Sequence, residues 1–375
     1  SQILRKEIRY LGYPANFVIY DENDALSLIK KVMAELEISQ EQFKPKTVRE
    51  NISSAKNELL SPQNYGHKAE GYFEQIISQI YQRYQTQLKN NNALDFDDLI
   101  RLVVVLFQKA PQILTKYQNL WPYILVDEFQ DTNHSQYVFI NLLAQKHCNV
   151  FVVGDFDQAI YMFRGADFRN ILNFEKEYPK TKIIFLEQNY RSSQNILEAA
   201  AGLISKNKER KDKMLWTKNP EGLPIIVYEA LDEKEEGRFI IQEIIRKISD
   251  EDKRLSDFTV LYRTNAQSRA IEEAFLKAGL AYKIIGAVKF YERKEIKDLL
   301  AYLKLGQNPD DSVSLERIIN APPRGLGKIA AGKTPAADWS DRKVKAWQKF
   351  EQFKKGLFQA SQTLSLTELL KFIIQ

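Results

Sequence analysis

The sequence predicts an α/β protein whose parallel β/α units are broken up by large all-helical segments. Three observations carry that prediction. Between Trp121 and Arg191, apolar β-favouring runs alternate with helical patterns, the signature of parallel β/α units. A second series of the same kind runs from Ile225 to Ile285. Outside these stretches, residues 1 to about 110 and those beyond Glu292 carry apolar positions at helical spacing.

Taken in order, Glu22 to Leu36 and Lys68 to Leu88 read as amphipathic helices, with Pro14, Pro45 and Pro62 punctuating the chain. Asp95 to Phe107 starts another, acidic in its first turn and apolar in its body. The run Tyr123 to Val126 reads as a strand that delivers Asp127 and Glu128 to its end. Helix Gln136 to Gln145 connects it to the strand Val150 to Val153, which ends in a Gly-Asp turn leading to Gln158. Helix Asp167 to Tyr178 leads to a third strand, Ile183 to Leu186, ending near Tyr190 and Arg191. A helix from Gln194 to Ser205 and a basic stretch from Lys206 to Lys213 precede the second series. That series comprises strand Ile225 to Tyr228, helix Glu233 to Ile248, strand Phe258 to Tyr262, helix Ala266 to Ala278 and strand Tyr282 to Ile285. The pattern is then helical to Gln375. The first residues open directly into a helical pattern and the last helix stops without a capping signal, so the chain is expected to begin and end inside domains.

Composition narrows the class. A chain of 375 residues has room for two or three domains, and 44% hydrophobic with 27% charged residues is ordinary for a soluble globular protein. No apolar run approaches the ~18 residues that a membrane span needs. The amphipathic, charged N-terminus is not a secretory signal. The single cysteine, Cys148, excludes an intramolecular disulfide framework and fits a reducing cytoplasm, so a cytoplasmic location without membrane contact is expected. With only His67, His134 and His147, zinc-type ligand spacing is absent. A net charge of +5 permits nucleic acid as a partner without demanding it.

The chemistry concentrates at strand ends. In an open α/β sheet, ligands bind beyond the carboxyl ends of the strands. There, one of Asp127 and Glu128 can hold Mg²⁺ beside nucleotide phosphates and the other can polarise an attacking water. The bland alternative is a pair of solvated carboxylates capping the next helix. Gln158 could sense a γ-phosphate and its water, Arg191 could neutralise charge on the transferred phosphoryl group, and Tyr190 could stack on a purine. The three strand ends are therefore expected to face one triphosphate-sized gap.

The segments Val126 to Asn133, Val153 to Ala166 and Leu186 to Ser193 resemble consecutive motifs of the UvrD/PcrA/Rep-type superfamily 1 DNA helicases. The resemblance extends upstream to Asp95-Phe-Asp-Asp-Leu99, and downstream to Val260 to Arg269, Phe290 to Asp298 and Pro322 to Gly327. It spans nearly the whole chain in family order. It implies RecA-like parallel-sheet motor domains, ATP and Mg²⁺ as cofactors, and an ATP-dependent 3′-to-5′ DNA helicase or translocase of the repair or replication type. The implied partners are single-stranded DNA and junctions of single and double strands; the oligomeric state is left open. The implied organisation is a helical insertion (1–110), part of a first motor domain (111–192), part of a second (193–289) and the start of a helical subdomain (290–375). Asp127 would hold Mg²⁺, Glu128 would activate water, Gln158 and Arg191 would contact the γ-phosphate, and Tyr190 would stack on adenine. Tyr161, Phe163 and Arg164 would line the DNA path, where stacking contributes ~1–3 kcal/mol per base. The bland reading of Tyr161 and Phe163 is that they are core aromatics.

Two departures stand out. Phe156 replaces a usual acidic residue and Phe163 a usual tryptophan, so weaker DNA grip is expected. The family's P-loop would lie upstream of Ser1 and its later motifs beyond Gln375, so the chain resembles the interior of a longer helicase and is expected to be inactive alone. Gly327-Lys-Ile-Ala-Ala-Gly-Lys-Thr334 matches the P-loop pattern, but Pro322 and Pro323 before it and Pro335 after it do not suit a strand feeding a phosphate loop. Arg324, Lys328 and Lys333 there suit contact with duplex phosphates instead. Arg342, Lys343, Lys345, Lys349, Lys354 and Lys355 continue a basic face, which would equally suit an ordinary solvated helix. Two rival functions remain: a two-metal nuclease using Asp95, Asp97, Asp127 and Glu128, and a non-catalytic nucleotide- or DNA-binding module.

Overall fold

A computed structural model describes residues 1–162, 165–167, 169–207, 213–285, 294–326 and 339–374. The chain divides into two compact units, Ser1–Ile184 with Tyr291–Gln375, and Phe185–Phe290. Among the described residues no helix is long and apolar enough to cross a membrane.

The first unit opens with α1 (Gln2–Glu7), β1 (Val18–Tyr20), α2 (Glu22–Glu35), α3 (Pro45–Asn57), α4 (Pro62–Lys68) and α5 (Tyr72–Asn90). It continues through β2 (Ala93–Asp95), α6 (Asp98–Lys109) and α7 (Pro111–Leu120). Local chemistry sets these boundaries. Asp21 closes a capping box over α2, and prolines occupy the first turn of α3, α4 and α7, where no N–H is needed. Apolar faces of α2, α3 and α5 make one core around Leu28, Ile29, Ile52, Ile80 and Tyr84. The expectation of nearly all helix misses one feature: β1 and β2 pair in parallel, Val18 opposite Ala93 through Tyr20 opposite Asp95. Three residues per strand are too few to show a period in the sequence.

The parallel β/α expectation holds for β3 (Ile124–Val126), α8 (His134–Ala144), β4 (Val150–Val152) and α9 (Arg169–Glu177), with β3 and β4 in parallel register. Ile124, Val126, Val150 and Val152 pack on Phe129, Tyr137, Ile140 and Phe174. Leu125 and Phe151 on the opposite face are 76% and 59% exposed. Parallel sheets are normally covered on both faces, so this face is unusual.

The second unit contains α10 (Gln194–Ile204), α11 (Glu233–Glu251) and α12 (Ser268–Ala278), the last two packed through Ile241, Ile244 and Phe275. Its expected strands are a correction. Ile225–Tyr228, Phe258–Tyr262 and Tyr282–Ile285 form no ladder, and neither does Ile183–Leu186; the segment after it contributes one parallel bridge, Gln188 with Trp216. Leu186, Val227, Leu261 and Ile285 are 78%, 92%, 89% and 87% exposed. A strand-type sequence becomes sheet only where a neighbour satisfies its backbone groups, and these runs find no neighbour among the described residues.

The remaining helices return to the first unit: α13 (Lys294–Gln307), α14 (Ser312–Ile318), α15 (Asp341–Thr363) and α16 (Leu366–Ile374), around Leu305, Ile318, Phe350 and Leu357. Their attachment to β1 and α2 is mainly polar. The Tyr20 hydroxyl donates to Asp311 at 2.5 Å, Asn308 Nδ2 to the Asn91 carbonyl at 2.6 Å, and Lys304 pairs with Asp24 at 2.5 Å.

Candidate functional site

The acidic pair sits where β3 ends. Glu128 adopts a left-handed backbone, φ +50°, which non-glycine residues seldom take and which turns the chain sharply. The turn leaves Asp127 and Glu128 exposed. One oxygen of Asp127 accepts the Glu128 N–H at 2.9 Å, so the carboxylate is oriented and keeps an oxygen for a ligand. Phe129, fully buried, donates its N–H to the Val153 carbonyl at 2.9 Å and locks this turn to the end of β4.

Gln130 was overlooked at the sequence level, although it lies inside the acidic motif. It is 1% exposed, and its amide bridges the two strand ends. Nε2 donates to Glu128 Oε2 at 2.7 Å, and Oε1 accepts the Asp155 N–H at 2.9 Å. Gln158, in a short 3₁₀ turn (Phe156–Gln158), donates through Nε2 to Asp155 Oδ2 at 2.8 Å. The structure therefore joins Glu128, Gln130, Asp155 and Gln158 in one hydrogen-bonded chain. A polar side chain directly after a buried aromatic was the available signal: a buried amide must find partners.

Beyond Gln158, Tyr161 is 39% exposed, and its carbonyl accepts the Ala166 N–H at 3.3 Å. Phe163, Arg164 and Lys328 lie outside the described residues, as do the P-loop-like segment 327–334 and Phe290 to Arg293 of the downstream motif.

Tyr190 and Arg191 belong to the second unit. Asn189 shapes their turn, its Oδ1 accepting the N–H groups of Arg191 at 2.9 Å and Ser192 at 2.8 Å. Tyr190 is 77% exposed, with its hydroxyl donating to Gln188 Oε1 at 2.9 Å. The turn that carries these residues follows a segment without regular secondary structure, in place of the expected third ladder strand.

Arg324 faces inward. Its guanidinium donates to the carbonyl of Ile318 at 2.8 Å and to the Tyr302 hydroxyl at 2.7 Å, and lies 5.2 Å from the Phe350 ring centroid. That placement suits bracing the turn better than reaching a phosphate. On α15, Arg342, Lys345 and Lys349 are exposed at spacings of three and four, which places them on one helix face.

The residues fit Mg²⁺ modestly and a two-metal cluster poorly. Mg²⁺ needs one or two protein carboxylates, with phosphates and water supplying the rest, and the oriented, exposed Asp127 carboxylate meets that requirement. The nuclease reading also requires Asp95, which is buried and paired with Lys56 Nζ at 2.6 Å. The same ammonium lies 2.9 Å from Asp98 and holds the Asp95 carboxyl below its usual range against the cost of burial. Asp97 is pushed up to about 6 by burial and by the Asp95 charge. Among the described residues no three His, Cys, Asp or Glu side chains gather as a metal-holding group.

Comparison with known proteins gives the family. The family described as UvrD/REP helicase N-terminal domain matches residues 1–179, and the UvrD-like helicase C-terminal domain matches residues 184–352. The chain is 45% identical to the ATP-dependent DNA helicase PcrA of Bacillus subtilis over 391 residues, covering 100% of this chain and 53% of that protein. It is 43% identical to PcrA of Leuconostoc citreum over 394 residues, covering 100% and 52%. Against PcrA of Staphylococcus aureus it is 48% identical over 332 residues, covering 88% and 45%. The chain thus spans about half the length of the curated relatives it matches.

Proposed function

Because this chain belongs to the UvrD/REP family of DNA helicases, we propose that it forms part of the motor of an ATP-dependent helicase moving 3′ to 5′ on single-stranded DNA. In this reading residues 1–110 are a helical insertion, 111–192 part of a first RecA-like domain, 193–289 part of a second, and 290–375 the start of a helical subdomain. ATP binds in the whole protein beside the ends of β3 and β4. Mg²⁺, when bound there with the nucleotide, supplies charge neutralisation along the phosphates.

The chain's own residues do the rest. Asp127 offers the metal its free oxygen, and the hydrogen bond from Glu128 N–H fixes its direction. Glu128 accepts a proton from the attacking water, and Gln130 holds its other side. Gln158 reads the γ-phosphate. Arg191 adds positive charge to the transferred phosphoryl group, a contribution of ~10³–10⁵ in rate in nucleoside triphosphatases. Tyr190 stacks on adenine. DNA contacts are sequence-independent, to phosphates and stacked bases, with Tyr161 on the path and the α15 basic face as a further phosphate contact.

One observation carries the reading: the bonded chain from Glu128 through Gln130 and Asp155 to Gln158. It ties a water-activating carboxylate to a phosphate-sensing amide three residues before Tyr161, so nucleotide state and DNA path share one loop. The test is twofold. In the protein made from its whole gene, Glu128→Gln should abolish DNA-stimulated ATP hydrolysis while leaving DNA binding in place; retained turnover refutes the role of Glu128. In this chain, affinity for a labelled oligothymidylate should fall with salt at about −0.7 log units per phosphate neutralised. Salt-independent binding refutes the electrostatic account.

A further inference from the structure

We propose that Asn219 is a positioning residue for Arg191: from a separate stretch of chain it holds the peptide unit from which the Arg191 side chain leaves. This role rests on the reading of Arg191 as a γ-phosphate contact.

No residue from Glu187 to Ser193 is buried, so packing does not fix the turn that carries Tyr190 and Arg191. A second stretch, Trp216 to Leu223, lies along it instead. The Trp216 N–H donates to the Glu187 carbonyl at 3.0 Å, and the Trp216 carbonyl accepts the Asn189 N–H at 2.8 Å. Further on, the carbonyls of Pro220 and Glu221 accept the N–H groups of Gln194 at 3.4 Å and Asn195 at 3.0 Å. These are donors at the start of α10, where Ser193 makes no side-chain cap. Asn195 Nδ2 donates to the Gly222 carbonyl at 3.1 Å. Gly222 has φ +83°, and a Cβ built on it would collide with the Ser193 side chain. Glycine is what lets the two stretches come this close.

Asn219 sits midway along the second stretch, directed by its own N–H, which donates to Thr217 Oγ1 at 3.0 Å. Its Nδ2 donates to the carbonyls of Tyr190 at 3.2 Å and Ser192 at 3.0 Å, which uses both hydrogens of the amide. From the other side, Asn189 Oδ1 accepts the N–H groups of Arg191 and Ser192. The peptide unit joining Tyr190 to Arg191 is therefore bonded at both ends, its carbonyl to Asn219 and its N–H to Asn189. Asn189 belongs to the turn and moves with it. Asn219 is 29 positions from Tyr190 and fixes the turn against an independent piece of backbone. A misplacement of ~1 Å at a reacting group can cost ~10²-fold in rate, so this remote amide reaches the chemistry through the direction it gives Arg191.

The test measures DNA-stimulated ATP hydrolysis in the protein made from its whole gene. Asn219→Asp keeps the shape of the side chain and removes the donor, and should lower kcat about tenfold to a hundredfold. KM for ATP should stay within about threefold, because Arg191 acts on charge that builds only in the transition state. Arg191→Ala alone should lower kcat about 10³-fold. Adding Asn219→Asp to it should change kcat by less than about twofold, since a residue that acts through Arg191 then has nothing left to position. Amide exchange at Arg191 should quicken in Asn219→Asp. Asn219→Ala removes the donor without adding charge and should repeat the pattern, so a poorly folding aspartate variant leaves a second one to read. Full kcat in both Asn219 variants would overturn the proposal. So would an equal loss with and without Arg191, the mark of a merely structural role, or a raised KM at unchanged kcat, which would assign the stretch to Tyr190. An Arg191→Ala protein with full kcat would remove the reading of Arg191 and this proposal with it, whereas the other outcomes remove this proposal alone.

Discussion

Replacing Gln130 with leucine tests whether the two strand ends communicate as described. The side chain is 1% exposed and makes two hydrogen bonds, to Glu128 at 2.7 Å and from the Asp155 N–H at 2.9 Å. A bond to a charged group contributes ~1.5–3 kcal/mol and a neutral one ~0.5–1.5. Glu128 is exposed, so the first belongs at the low end, and the pair together is worth about 2–3 kcal/mol. The loss is local, because it opens the loop after β4 without emptying the core beneath it. Amide exchange at Asp155 is therefore the assay, and protection should fall about 30- to 150-fold, as every ~1.4 kcal/mol is a factor of ten. Gln130→Glu separates the two bonds: it keeps an acceptor for the Asp155 N–H while placing a like charge against Glu128. Unchanged exchange at Asp155 in the leucine variant would refute the bridge and, with it, the link between carboxylate and phosphate sensor.

Other outcomes follow from the same geometry. Lys56→Met strands the buried carboxylates of Asp95 and Asp98 and should cost ~3–5 kcal/mol in urea unfolding; a loss below ~1 kcal/mol would contradict the ion cluster. Asp97, raised to about 6 by burial and by Asp95, is destabilising when charged, so its contribution improves as pH falls through about 6 toward the ordinary carboxylate range. Asp97→Asn should therefore melt higher than the unsubstituted chain near pH 8, by about 1–3 kcal/mol, with the gap closing toward pH 4. Arg324→Ala should lower stability by about 2–3 kcal/mol through its lost carbonyl, hydroxyl and ring contacts, and should leave oligothymidylate affinity within about twofold; a large affinity loss at unchanged stability would restore Arg324 as a phosphate contact.

What could be read from the sequence, and what could not, follows from the range over which each signal acts. The β3–α8–β4–α9 series was legible because alternation, caps and apolar runs are local, and Asp127, Glu128 and Gln158 were legible because strand ends in such a series have a defined place. Gln130 was not. It matters through a partner 25 positions away, Asp155, and an isolated glutamine carries no sign of which carbonyl or amide it will meet. The same limit explains the strands that failed to form. Ile225–Tyr228 and Phe258–Tyr262 have every local property of buried strands, but pairing is a property of two segments, and apolar β-branched runs state only half of it. Arg324 shows the converse limit: a basic residue beside Gly325 looks solvent-facing in sequence, yet a planar guanidinium with several donors is also well suited to gathering the loose carbonyls at a helix end. A charge in a loop therefore points to DNA only once its donors are known to be unoccupied by the protein's own backbone.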